Sequence, residues 1–251
     1  MNPELYQQHA RLEAEHWWFR GRREVIRSFL RPVLPQKVGH ALDVGCGTGL
    51  NARMLREFAE DIEALESSDE AISIAREMIP ELRVRKGHFP EGASGGPYQL
   101  ITALDVLEHI DDDGAALRRI EDLLAPGGTA LLTVPALPIL WSEHDELAHH
   151  RRRYTRASML EAVTRNTSLQ VLRISYFNSM LFLPIFAFRL ARRALKLNPG
   201  GSDFFPLPPQ VNALLHGVFS AEAKVLRKVD APVGVSLICV LRRPASLKGT
   251  H

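Results

Sequence analysis

Apolar residues recur along this chain with two different periods. Residues 4–30 carry them at helical spacing: Trp18, Arg22 and Val25 share one face, and Trp17 and Arg20 share another. The pattern predicts helix in two pieces, with a break near Gly21. The stretch Arg31-Pro32-Val33-Leu34-Pro35 ends it, because proline disfavours helix at the residue before it. Short apolar runs then alternate with amphipathic stretches. Residues 40–44, 62–66, 82–85, 99–104 and 129–134 read as strands, 50–60, 69–78 and 113–124 as helices, and Pro126-Gly127-Gly128 as a turn. Strand and helix alternating at this pace predict a parallel sheet with helices on both faces.

Beyond residue 136 the pattern changes. Residues 136–154 are rich in His, Arg and acids, with little periodicity. A helix over 155–166 starts at Thr155 as its cap. Next come a strand over 169–176, an amphipathic helix over 179–197, a Gly/Pro-rich loop over 200–209, a helix over 211–229 and a last strand over 233–242.

Composition narrows the class. The chain has 251 residues, 45% hydrophobic and 24% charged, which is ordinary for a globular protein. The length fits a helical segment over 1–35 and one domain over 36–251, with a helical insertion over about 178–230. A net charge of +2 is too small for a nucleic-acid footprint, although basic residues cluster at 20–23, 151–153 and 189–196. The two cysteines, Cys46 and Cys239, look like neither metal ligands nor a structural disulfide. The start Met1-Asn2-Pro3-Glu4 has no apolar leader, and no run reaches the roughly 18 apolar residues that span a bilayer. A cytoplasmic protein is expected.

The first strand runs straight into Gly45-Cys46-Gly47-Thr48-Gly49, and a helix follows. Glycines there let the backbone turn sharply and approach a ligand closely. Glu66 ends the next strand, about 20 residues on, where an acid can hold ribose hydroxyls. The loop is one residue shorter than the dinucleotide pattern G-x-G-x-x-G, and Asp43 precedes it. A carboxylate repels a pyrophosphate but attracts an ammonium and a sulfonium. These features favour S-adenosylmethionine over NAD or FAD.

At this level the chain resembles the class I S-adenosylmethionine-dependent methyltransferases over about residues 38–136. The resemblance rests on Asp43-Val44-Gly45-Cys46-Gly47-Thr48-Gly49, Glu66, Ala103-Leu104-Asp105-Val106-Leu107-Glu108-His109-Ile110 and Leu124-Ala125-Pro126-Gly127-Gly128. Its flavour is similar to the small-molecule branch that holds the ubiquinone-pathway O-methyltransferases. It implies a Rossmann-like α/β fold whose seven-stranded, mostly parallel sheet takes its last strand antiparallel beside the fifth. It implies that Glu66 holds the ribose diol, that Lys86, Gly87 and His88 flank adenine, and that Leu104 and Asp105 lie near the cofactor. Many relatives carry an acid where His88 stands. Glu108 and His109 read as structural.

Three further segments are candidates for chemistry. His16-Trp17-Trp18-Phe19-Arg20-Gly21-Arg22-Arg23 reads either as plain packing or as a lid. In the lid reading Arg20 or Arg23 pairs with the methionine carboxylate, and a tryptophan, Trp17 or its neighbour, covers the sulfonium. Residues 141–154 leave the fifth strand at the ligand-binding edge of an open sheet. His144 is the first choice for a base that takes an acceptor hydroxyl proton, with Asp145 to orient it and His149 and His150 next. A metal on His144, Asp145 and His149 lacks regular ligand spacing, so no metal is expected. Arg151 to Arg153 suit either an anionic acceptor or the start of the following helix. The stretch 180–197 pairs an apolar run with Arg189, Arg192, Arg193 and Lys196, which fits peripheral contact with the inner membrane face, a cap over a greasy acceptor, or a core or dimer helix.

The expected activity is methyl transfer from S-adenosylmethionine to a small-molecule acceptor, at oxygen rather than nitrogen, the acceptor being apolar or lipid-linked. A nicotinamide oxidoreductase on the same sheet and a non-catalytic cofactor-binding module are the rivals. No nucleic-acid partner is expected, and the oligomeric state is open.

Overall fold

The computed structural model describes residues 12–194 and 206–245. Its strands are β1 (Val38–Val44), β2 (Ala59–Glu66), β3 (Arg83–Lys86), β4 (Tyr98–Leu104), β5 (Leu124–Pro135), β6 (Gln170–Phe177) and β7 (Ser236–Arg242). They form one sheet in the order β3-β2-β1-β4-β5-β7-β6. The first five run parallel. β7 lies antiparallel between β5 and β6, as the resemblance implied.

Both faces of the sheet are covered, so its strands are apolar almost throughout. Successive side chains alternate between two cores. Ala41, Leu100, Leu131 and Ile238 face α1 (Trp17–Val33), α2 (Leu50–Leu55), α3 (Asp69–Met78) and α8 (Pro209–Val225). Leu42, Ile101, Leu132 and Leu237 face α4 (Asp113–Leu123) and α6 (Arg156–Asn166). Helix starts carry local caps: Ser68 accepts from Ala71 N, Asp112 from Ala115 N, and Thr155, the expected cap, from Ser158 N. Two shorter or more exposed helices complete the fold, α5 (Glu143–Leu147) and α7 (Phe182–Ala194). The start of α7 is pinned from α8, where the Glu222 carboxylate accepts from Ser179 N at 2.9 Å and Met180 N at 3.0 Å.

The sequence pattern is corrected in three places. Helix α1 passes through Gly21 without a break; the break falls at His16, whose backbone is extended and whose side chain accepts from Trp18 N. Gly21 serves close packing instead. A Cβ there would stand 2.5 Å from Phe219 Cγ and 2.8 Å from its Cβ, so only glycine lets α8 come this near. Helix α1 also includes Pro32, in its last turn. Pro126-Gly127-Gly128 lies inside β5 because Arg243 pairs with it, Gly127 N donating to Arg243 O and Arg243 N to Gly128 O. The helix expected over 179–197 is Phe182–Ala194, and Lys196 and the loop's residues 200–205 lie outside the described residues.

The chain goes from β1 to β2 on one side of the sheet and reaches β4 on the other. The carboxyl ends of β1 and β4 therefore flank a crevice, the place where such sheets bind ligands.

Candidate functional site

The glycine loop leaves β1 at this crevice. Gly45, Gly47 and Gly49 have φ of 65°, 55° and 84°, a region in which side chains are strained. Gly45 N and Cys46 N both donate to Leu65 O, at 2.8 and 3.2 Å, which fastens the loop to the end of β2. Nothing stands within 4 Å of the place where a Gly47 Cβ would be, so the loop leaves open space at its tip. Glu66 faces that tip. One of its oxygens accepts from Gly47 N at 2.9 Å, the other from Ser67 N at 2.8 Å and Ser68 N at 3.0 Å.

Asp43 sits beneath the loop, buried. Its Oδ1 accepts from Thr102 Oγ1 at 2.6 Å, while its Oδ2 has no hydrogen-bond partner. Burial pushes its pKa up to about 7. Cys46 is buried too, and burial, with Asp43 nearby, pushes its thiol up and out of reactive range. On the β3 side, His88 is exposed, and Gly87 N donates to Glu66 O at 2.9 Å. Leu104 is buried at the end of β4. Asp105 follows with φ of 59°, and its Oδ1 accepts from Thr133 Oγ1 at 3.0 Å. The β1 and β4 loops touch, since a Cβ on Gly45 would stand 2.7 Å from Val106 Cγ2.

The N-terminal segment reaches this edge through residues other than those singled out above. Arg22, not Arg20 or Arg23, is buried and pairs with Asp105, its guanidinium 4.8 Å from the centre of the Trp18 ring. Arg20 points to solvent, and Arg23 donates to the Glu13 carbonyl at 3.1 Å. Glu13 is buried and accepts from Thr48 Oγ1 in the glycine loop. Trp17 packs into the core, 5.8 Å from Phe219 between ring centres. The tryptophan that lies against a cation is Trp18. The helical stripe Trp18, Arg22, Val25 already marked this face, but Glu13 gave no signal of its own.

The segment after β5 is held by its own charges. Ser142 and Asp145 form a capping box at the start of α5. Asp145 is buried, and Arg153 donates to both of its oxygens, Nε at 2.8 Å and Nη2 at 2.9 Å. His150 Nδ1 lies 2.8 Å from Asp145 Oδ1. Burial alone would raise the Asp145 pKa; the hydrogen bonds from His150 and Arg153 outweigh it and hold the carboxyl far below the usual range. The ring that Asp145 orients is therefore His150. Arg151 pairs with Asp111 and Arg152 with Asp113, so all three arginines tie this segment to the neighbouring loops and to Asp145 rather than projecting toward an anion. His144 is half-buried, with its ring 6.0 Å from that of His150, and His149 is exposed with φ of 56°.

Among the described residues, the ligand-type side chains that the fold brings together are Glu108, His109 and His150, not His144, Asp145 and His149. The His109 and His150 rings are 4.8 Å apart between centres. Glu108 is buried, and neither of its carboxylate oxygens has a hydrogen-bond partner. Burial, with Asp105 beside it, pushes its pKa well up. Glu108, adjacent to His109 in sequence and read as structural, lies near the charges of Arg22 and Arg153 without a hydrogen bond to either.

A family profile described as a methyltransferase domain matches residues 16–181. The ubiquinone biosynthesis O-methyltransferase of Xanthomonas campestris pv. campestris (strain B100) is 26% identical over 197 residues, 68% of this chain and 81% of that protein. Two solved structures share the fold. An S-adenosylmethionine dependent methyltransferase from Mesorhizobium loti superposes with a TM-score of 0.55 at 19% identity, over 85% of this chain and 95% of that one. Phosphoethanolamine N-methyltransferase 2 from Haemonchus contortus, in complex with S-adenosyl-L-methionine, gives 0.55 at 16% identity, over 86% and 51%.

Proposed function

This chain belongs to the methyltransferase domain family, and on that premise we propose that it transfers the methyl group of S-adenosylmethionine to an oxygen of an apolar small-molecule acceptor. The observation that carries the cofactor is the pair of acids around the glycine loop. Asp43 Oδ2 is a buried carboxyl oxygen with no hydrogen-bond partner, and the cofactor's ammonium is a cationic donor suited to it. Glu66 stands at the loop tip, with acceptor oxygens suited to a ribose diol. Leu104 and Asp105 follow the same strand edge, and His88, past β3, is assigned to adenine in this reading. When bound, the sulfonium supplies an electrophilic methyl group. The chain's task is then to align an acceptor oxygen and to take its proton.

That proton goes to the segment after β5, with His144 as the base and His149 as the alternative. Asp145 acts as a positioning residue, holding His150 and, through Arg153, the shape of the segment. The described N-terminal residues 12–35 serve as a lid, with Arg22 and Trp18 as its contact with the β4 edge. Both the O-methyltransferase relative and the histidines support oxygen as the acceptor atom.

The apolar nature of the acceptor rests on α7. Leu183, Phe188 and Leu190 are 72%, 51% and 56% exposed, whereas Leu181 and Ile185 pack inward. Exposed apolar side chains so close together suit a lipid-linked acceptor or the inner face of a membrane. No helix among the described residues is long and apolar enough to cross a membrane; the contact proposed here is peripheral, from the cytoplasmic side.

Calorimetry with S-adenosylhomocysteine and with NAD tests the cofactor. Binding of NAD without binding of the nucleoside thioether overturns the reading. Incubation of the protein with labelled cofactor and cell extract, with lipid and aqueous fractions counted separately, tests the acceptor class. Label in the lipid fraction is expected.

A further inference from the structure

Glu108, His109 and His150 come together at the carboxyl edge of β4, and no structural role accounts for the first of them. Glu108 is 0% exposed, yet neither of its oxygens is hydrogen-bonded. A buried carboxyl group without a hydrogen-bond partner is a costly feature for a fold to carry. The charges of Arg22 and Arg153 act on it, yet neither hydrogen-bonds it. Arg22 is taken up by Asp105, Arg151 by Asp111, and Arg153 by Asp145 and the Ala136 carbonyl. What stands beside the Glu108 carboxylate is instead one ring nitrogen from each of two histidines, and the three atoms lie within 4.8 Å of one another. A cation about 2.0–2.2 Å from each donor needs them roughly 3–4 Å apart, a distance that small side-chain rotations reach.

Both imidazoles are oriented from behind. His150 Nδ1 faces Asp145 Oδ1 at 2.8 Å. That carboxylate accepts the Nδ1 proton, so the lone pair is on Nε2. Asp145 is itself clamped by Arg153. The Ala148 backbone hydrogen-bonds the His109 ring. A carboxylate or carbonyl behind an imidazole is the outer support that metal-bound histidines need. Burial grades across the set: Glu108 is buried, His150 half-buried and His109 exposed. The floor is closed and the mouth is open, so an ion can enter and keep free coordination positions.

We infer that Glu108, His109 and His150 bind one divalent transition cation, whose open positions take the acceptor's oxygen. Two imidazoles and one carboxylate suit Zn²⁺, Co²⁺, Fe²⁺ or Mn²⁺ better than Ca²⁺ or Mg²⁺. The cation acts as a Lewis acid and not as a redox centre. An acceptor hydroxyl bound to it loses its proton to His144. The oxygen lone pair forms the bond to the methyl carbon, and the carbon–sulfur bond breaks with its electron pair going to sulfur. The products are a methyl ether, a neutral thioether and a protonated base. Metal binding itself stands on the three side chains; the Lewis-acid role rests on the methyl-transfer reading above.

The test uses the full chain stripped of metal by chelation and titrated with Co²⁺, Zn²⁺ and Mn²⁺. One Co²⁺ per chain is expected, with visible absorption of a low-symmetry site that Zn²⁺ displaces. Glu108→Gln removes a buried charge, and His109→Asn changes an exposed ring. Each is expected to weaken Co²⁺ binding at least tenfold while circular dichroism and the melting temperature show a folded protein. Failure of the folded wild type to bind any of the three ions stoichiometrically overturns the proposal. So does Co²⁺ binding that neither variant changes. S-adenosylhomocysteine binding on the same samples separates the two readings. Loss of Co²⁺ with nucleoside binding intact in His109→Asn supports the site, whereas a wild type that binds Co²⁺ but no nucleoside keeps the metal and removes the methyl transfer.

Discussion

Asp43 makes cofactor binding depend on pH in a direction that can be worked out beforehand. Burial holds its carboxyl at a pKa of about 7, against 3.8 for the free side chain. In the unliganded protein this costs stability. The contribution of the protonated form is full below about 3.8 and declines as pH rises to about 7, beyond which Asp43 is ionised both folded and unfolded. An ammonium against Oδ2 favours the carboxylate, so binding lowers the pKa and expels a proton whenever Asp43 starts protonated. Affinity is then greatest above pH 7 and falls below it. From pH 8 to pH 6 the dissociation constant for S-adenosylhomocysteine rises about tenfold, or about 1.4 kcal/mol. Calorimetry at pH 6, 7 and 8, repeated in buffers of different ionisation enthalpy, reads both the affinity and the protons released. Asp43→Asn is expected to bind more weakly at pH 8 and to lose the slope. Affinity that stays flat from pH 6 to 8, with no proton released at pH 6, refutes the assignment of Asp43 to the ammonium.

The other predictions concern packing, ion pairing and surface. Gly21→Ala gains about 1 kcal/mol of helix propensity but drives a methyl group into Phe219, at about 1–3 kcal/mol; urea denaturation is expected to show net destabilisation, and a more stable variant contradicts the close packing. Arg153→Met takes the guanidinium away from the buried Asp145, leaving the His150 ring beside it, and is expected to cost about 3–5 kcal/mol in the same assay. Because the Asp145 pKa is depressed, its contribution is present above the ordinary carboxylate pKa and lost as pH falls through the folded-state value. The acid-denaturation midpoint of Arg153→Met is therefore expected to move to higher pH. Wild type is expected to pellet with anionic vesicles, and a Leu183→Ser/Phe188→Ser variant much less; equal, negligible pelleting of both removes the membrane contact.

The sheet was legible because its strands are short apolar runs between amphipathic helices, and the glycine loop because Asp43 and Glu66 flank it at fixed distances in sequence. What escaped the sequence were contacts between distant segments. Gly21 looks like a helix break until Phe219, far along the chain, occupies the space of its missing side chain. Arg22 looks like one of three arginines at 20–23, and only Asp105, just past the end of β4, selects it. In the segment 141–154, local spacing coupled Asp145 to His144. The fold instead turns Asp145 toward His150 and Arg153, because a buried carboxylate takes the donors that burial brings to it. Glu108 gave a faint signal, an acid beside a histidine just past a strand end, but its isolation shows only when its surroundings are known.

The packing of α1 on α8 has a bearing on how the chain is made. Trp17 N donates to Asn212 Oδ1 at 2.8 Å across 195 residues of sequence, and Trp17 meets Phe219 beside it. On the ribosome, α1 emerges with Trp17 bare, and although strands made earlier can cover part of its inner face, the side that meets α8 waits for nearly the whole chain. Arg22 waits with it. The β4 edge thus receives its arginine only on a helix that the end of the chain has closed over, and a nascent chain stopped before residue 209 displays an aromatic surface to chaperones.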